Sequence, residues 1–224
     1  MTKNQKIKHT LQQTKKRRKS QTLVSFELKI SKNKLPKSII KKLHQLFIET
    51  KWFYNAFLAS SRTLSYKIKS VQVRNKNKEF EQKELTLLSC QMKQSLITKV
   101  KDSIYALHVL KMKGNKVGRL KFKKELNSIP LKQHGHTFSV FPTYIKIQNI
   151  KHKLPIRGFD QIENYCEKHN INLKDVEFTK ANFIRRATNF YLHITVAVPK
   201  VKKYKTTPKE AVGIDFGCQT QLTI

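Results

Sequence analysis

Residues 22–30, "TLVSFELKI", alternate: Val24, Phe26, Leu28 and Ile30 stand between Leu23, Ser25, Glu27 and Lys29. A period of two is that of a strand with one buried face. At Pro36 the period lengthens. Ile39, Ile40, Leu43, Leu46, Phe47, Tyr54, Phe57 and Leu58 recur at spacings of three and four, and Pro36 suits a helix start, so the pattern predicts an amphipathic helix over residues 37–60. The polar stretch "KIKSVQVRNKNKEF", 67–80, reads as a loop. A second helix is predicted over 82–112, with Leu85, Leu88, Met92, Leu96, Val100, Ile104 and Leu107 on one stripe; Glu79, Glu81 and Glu84 fall at its solvated start, where acids favour the helix dipole. Gly114 and Asn115 suit a left-handed cap at its end. Two such helices are expected to pack antiparallel, stripes inward and lysine-rich faces outward.

Short-strand patterning returns after residue 117. "FSVFPTYIKIQNIKHKLPI", 138–156, reads as strands broken at Pro142, Asn149 and Pro155, and 158–175 as a short helix and loop. "VEFTKANFIRR" and "FYLHITVAV" form a predicted hairpin whose second strand sets Phe190, Leu192, Ile194, Val196 and Val198 on one face. A charged linker, 199–210, precedes the strand "AVGIDFG".

Charge narrows the function classes. The chain carries 47 Lys and Arg against 14 Asp and Glu, a net charge of +33 over 224 residues. Self-repulsion on that scale opposes a compact state unless an anion sits against it, and a nucleic-acid backbone is the obvious polyanion. Residues 1–20 hold eight Lys or Arg and no acid, including Lys15, Lys16, Arg17 and Arg18, and read as a disordered arm at phosphates. In "GRLKFKK" the residues Arg119, Lys121, Lys123 and Lys124 surround Leu120 and Phe122, which suggests a strand with one basic face; Arg185 and Arg186 add charge at the hairpin. Tyr144 and Tyr191 are candidates for stacking on unpaired bases, with core packing as the rival reading. Cys90, Cys166 and Cys218 form no CxxC pair, which argues against a zinc site or disulfide framework and for free thiols in a reducing cytoplasm. His134 and His136 read as a surface pair rather than metal ligands. No apolar run approaches the roughly 18 residues of a membrane span, so no membrane partner is expected.

In "VGIDFGCQTQLTI" one acid, Asp215, stands on an apolar strand between Gly213 and Gly217. A carboxylate on a rigid strand can hold Mg²⁺ at a phosphate. Taken with the early strand, Tyr54-Asn55, the second long helix, "GRLKFKK" and the hairpin carrying Tyr191, in that order, the sequence resembles the N-terminal portion of TnpB, the OrfB-type protein of bacterial insertion sequences. That family comprises RNA-guided DNA nucleases related to type V CRISPR effectors.

The resemblance implies an α+β architecture: an oligonucleotide-binding-type β-barrel interrupted by a helical recognition lobe, then an RNase H-like (RuvC) domain. Its boundaries here would be an arm over 1–20, a first barrel strand over 21–35, the lobe over 36–116, the rest of the barrel over 117–205 and the start of the nuclease domain over 206–224. It implies a guide-type RNA from the transposon end and a target DNA as partners. Mg²⁺ and a structural Zn²⁺ belong to the full-length family. Of the family's three catalytic carboxylates only Asp215 has a counterpart. A truncated, transposon-encoded nucleic-acid-binding protein that does not cleave is therefore the expectation. Two rivals stay open: a nuclease-dead, RNA-guided repressor, and an unrelated basic RNA-binding protein.

Overall fold

The computed structural model describes residues 2–60, 63–75 and 77–200. Of the expected linker, 199–210, only Pro199, which ends a strand, and Lys200 lie within them; the rest and the strand carrying Asp215 lie outside. In chain order the elements are α1 (Lys3–Lys19), β1 (Gln21–Ile30), α2 (Lys37–Ala59), β2 (Ser70–Arg74), β3 (Phe80–Glu84), α3 (Cys90–Met112), β4 (Ser128–Leu131), β5 (Phe138–Val140), β6 (Tyr144–Ile147), β7 (Ile150–Arg157), α4 (Asp160–Lys168), β8 (Glu177–Arg186) and β9 (Asn189–Pro199).

Alternation drives the sheet. Leu28, Ile30, Phe190, Leu192, Ile194 and Val196 are each fully buried, and their neighbours within the strands, Ala197 excepted, are more exposed. Seven strands pair in the order β4-β8-β9-β1-β7-β6-β5, every ladder antiparallel. The two edges come together through the 132–137 loop, which bridges His134 to Phe138 and bonds Gln133 N–H to Thr137 Oγ1 at 3.1 Å. The result is a nearly closed barrel, which leaves little unpaired edge. Pro155, expected to break a strand, lies inside β7; its carbonyl accepts from Ser31 N–H at 2.8 Å, and it pairs with Tyr144 beside a register shift, where a missing N–H is tolerated.

Between β1 and β4 the chain leaves the barrel. Helix α2 lays Leu43, Leu46 and Phe47 on it, and the Phe47 ring meets Phe183 at 5.1 Å and Phe190 at 6.1 Å. Further out Tyr54 and Phe57 meet Val100 of α3, with Leu120 and Leu126 against them. Residues 67–80 are not a loop: β2 and β3 form a hairpin, Val71 packing inward and Lys78 at φ 69° in its turn. The second helix accordingly begins at Cys90, capped by Ser89 Oγ accepting from Met92 N–H at 3.2 Å. Leu85 and Leu88 are buried as expected, but from the connection before the helix; Glu81 and Glu84 stand on β3 rather than at a helix start. At the far end Gly114 (φ 80°) donates to Lys111 O and Asn115 to Leu110 O, the paired bonds of a Schellman cap.

Residues 3–19, expected to be disordered, are helix α1. Lys, Arg and Gln are good helix formers, Thr2 and Gln5 form a capping box, and Arg17 and Arg18 tie the last turn to Glu177 of β8.

Barrel closure carries a pH dependence. The His134 ring packs on Phe138 and Phe178, and Nε2 accepts from Val140 N–H at 3.3 Å. Burial lowers the pKa of His134 below 6.5, and burial followed by the charges of Arg185 and Lys32 lowers that of His44. In the unfolded chain both protonate near 6.5, whereas the folded protein resists protonation until lower pH. Unfolded chains therefore bind more protons in the window just below 6.5, and stability falls as pH drops through it. Thermal unfolding across that window should show a falling Tm, with a shallower fall for His134→Gln. An unchanged slope in the variant would remove His134 from the account.

Candidate nucleic-acid interface

Residues directly opposite in an antiparallel ladder project to the same side. Tyr191 of β9 pairs with Lys29 of β1, and Lys29 pairs with Arg157 of β7. The three form a row across the outward surface, while Ile30 and Ile156, the neighbouring pair, point into the core. After β1 a single 3₁₀ turn, Lys32–Lys34, swings two more lysines beside the row. Lys29, Lys32, Lys34 and Arg157, with Asn33 and Asn189, line one hollow whose walls contain no acid. Four cations around one depression repel one another unless an anion occupies it.

The two acids on the described barrel strands, Glu27 and Glu177, are already neutralised. Glu27, next to Lys29 on that side of β1, bonds Arg186 at 2.8 Å and the His193 ring. The Arg186 guanidinium also lies 5.0 Å over the Tyr191 ring. Glu177 takes Arg17 and Arg18, each at 3.0 Å, and Gln21 Nε2 at 2.9 Å. Arginine, with its planar fork, serves these pairs, and lysine is left for the solvent.

The residues expected from sequence to contact phosphate fall in three places. Lys15 and Lys16 are exposed on α1 beside the paired Arg17 and Arg18, at one end of β8. Arg185 and Arg186 are at its other end. Arg185 is engaged inside the protein: it bonds Asn127 Oδ1 at 2.9 Å and Glu125 at 3.1 Å, and covers the Phe47 ring at 5.4 Å. Arg119, Lys121, Lys123 and Lys124 are exposed on the irregular segment between α3 and β4. That segment is not the expected strand with one packed face: Leu120 joins the Tyr54–Phe57–Val100 cluster, yet Phe122 is 66% exposed. It is held instead by Asn55, whose side-chain amide donates to Lys123 O and accepts from Lys123 N–H, both at 2.9 Å. Arg185, bonding Glu125 and Asn127, moors the end of the same segment to the barrel.

Sequence reasoning missed Lys29, Lys32, Lys34 and Arg157. Alternation already places Lys29 outward, but its juxtaposition with Arg157 depends on the pairing of strands far apart in the chain. Among the described residues no three His, Cys, Asp or Glu side chains gather in a group that could hold a metal ion, and Asp215 lies outside those residues. No helix among the described residues is long and apolar enough to cross a membrane.

No protein-family model matches the chain, and no curated protein matches it.

Proposed function

We propose that this chain binds nucleic acid, gripping a phosphate backbone on the outward surface of β9, β1 and β7. The observation that carries the reading is the hollow between Lys29, Lys32, Lys34 and Arg157, whose walls hold no acid, in a barrel whose strands pair their two carboxylates, Glu27 and Glu177, with arginines. Phosphate oxygens would supply the missing counter-charge, and each contact would release condensed cations from the polyanion. The exposed Lys15, Lys16, Arg119, Lys121, Lys123 and Lys124 extend the positive field that steers a polyanion to it.

The finer reading is a TnpB-like, transposon-encoded protein that holds a guide-type RNA and, through it, a target DNA. Support comes from the order of elements: a barrel strand, a mainly helical insertion and then the remaining barrel strands, in keeping with an oligonucleotide-binding barrel interrupted by a recognition lobe. Asp215 would be the first metal-binding carboxylate of a RuvC-type domain under this reading. Asp215 lies outside the described residues.

Binding of labelled RNA and DNA by fluorescence anisotropy over a salt series tests both levels. Affinity should fall linearly on log–log axes, with a slope of about −3 or steeper for single strands, as four or more phosphate contacts require. Absence of binding at low salt would overturn the function. Equal affinity for transposon-end RNA and an unrelated RNA of the same length would retain polyanion binding and remove the TnpB-like reading.

A further inference from the structure

Next to the cationic row stand two aromatic rings that the core does not claim. Phe141 and Tyr144 flank the turn between β5 and β6, closed by Phe141 N–H donating to Tyr144 O at 2.9 Å. Their rings stack at 4.5 Å, inclined by 20°. Neither is in the buried cluster, and Phe141 is 37% exposed. A lysine ammonium lies over each: Lys146 Nζ is 5.8 Å from the Phe141 centroid and Lys153 Nζ 4.9 Å from that of Tyr144. Both lysines are exposed, and neither forms an ion pair among the described residues.

Register makes this pair continuous with the hollow. Tyr144 is opposite Pro155 on β7, and Lys153, Pro155 and Arg157 follow one another at every second position on the outward side. Rings and phosphate-seeking cations thus share one surface. We propose that Phe141 and Tyr144 form a stacking platform for unpaired RNA bases, with Lys146 and Lys153 taking the adjoining phosphates. This rests on the reading that the neighbouring row holds a phosphate backbone.

A π-face beside mobile ammonium groups suits a nucleotide, which offers a flat ring and an anion a few ångströms apart. A base on an aromatic ring is held more strongly than an ammonium over an exposed ring, so the base takes the ring face and the lysine swings to its phosphate. Bases inside a duplex are already stacked and present no free face. RNA is the fitting source because its recognition concentrates on unpaired loops and ends, where bases can be splayed onto aromatic side chains.

The test uses the full chain, an unstructured RNA carrying 2-aminopurine and an RNA duplex of the same length. Phe141→Ala should weaken binding of the unpaired RNA about tenfold and abolish the fluorescence quenching that stacking produces, with duplex affinity and salt slope unchanged. Phe141→Leu, which keeps apolar bulk without a π-face, should lose as much, whereas Phe141→Trp should retain binding and quenching. If the wild type binds with its full salt slope but Phe141→Ala and Phe141→Leu lose nothing, the platform is wrong and the phosphate row stands. If the wild type does not bind at all, the phosphate reading has failed. Single-stranded DNA bound as tightly, with the same loss in the variants, would overturn the assignment to RNA.

Discussion

Replacing Lys29, Lys32, Lys34 and Arg157 together by alanine is expected to weaken binding of an unstructured RNA about 600-fold at 0.1 M salt. Each phosphate contact on a single strand contributes about 0.7 to the slope of log affinity against log salt, or about fivefold in affinity per decade of salt below 1 M. Four contacts multiply to that figure, and the slope itself should shrink by about 3. Such a loss is far beyond what screened surface ion pairs produce, so the measurement is decisive. The substitutions cost little stability because all four cations line an open hollow and none forms an ion pair among the described residues. The matched control removes Lys101, Lys111, Lys113 and Lys116, exposed at and beyond the distal half of α3, with the same change in net charge. An equal loss in the control would mean that total charge, not this hollow, governs binding, and would remove the interface from β9, β1 and β7.

What the sequence makes legible follows the range of the interactions involved. Helix α2 and the β8–β9 hairpin are set by neighbours in sequence: apolar residues at helical spacing after Pro36, and strict alternation from Phe190 to Val198 across a tight turn. The cap at Gly114 is equally local. The β2–β3 hairpin escapes notice because its strands are polar and pair only with each other, so only Val71 leaves a deeply buried trace. Helix α1 escapes because its density of like charge suggests disorder, whereas its last turn is anchored by one carboxylate, Glu177, from a strand at the other end of the chain. The interface divides in the same way. Composition identifies a polyanion partner but not which cations are available to it. Arg185 and Arg186 stand out in the sequence, yet the fold engages them with Glu125, Asn127 and Glu27. Lys29 and Arg157 become neighbours only through the β1–β7 register.

Glu49→Ala is expected to cost about 3 kcal/mol of stability. In sequence Glu49 is merely one of two acids in a long basic stretch. In the fold it is fully buried on α2, where Oε2 accepts from Leu87 N–H and Leu88 N–H, each at 2.9 Å, and Oε1 from Thr86 Oγ1 at 3.1 Å. These bonds fasten the connection before α3, and Asn149 Nδ2 holds the Leu87 carbonyl from the barrel side at 3.1 Å. Alanine removes the acceptor of two backbone N–H groups, that of Leu88 at a buried residue and that of Leu87 at a half-buried one, and charge-assisted bonds are the strong ones. A second charge is coupled to the same carboxylate. Lys93, only 3% exposed, has its pKa lowered by burial, with Cys90 and Glu49 acting the other way, and its ammonium donates to Ile68 O at 2.6 Å. Removing Glu49 takes away part of what keeps that ammonium charged, so Lys93→Met should be better tolerated beside Glu49→Ala than in the wild type. Denaturant unfolding of the four proteins in this cycle gives the coupling directly. A Glu49→Ala midpoint equal to that of the wild type would show that water reaches Leu87 and Leu88. RNA affinity measured where both proteins remain folded should be unchanged, because the lock organises the insertion while the cations of the hollow stand on β1, β7 and the turn after β1.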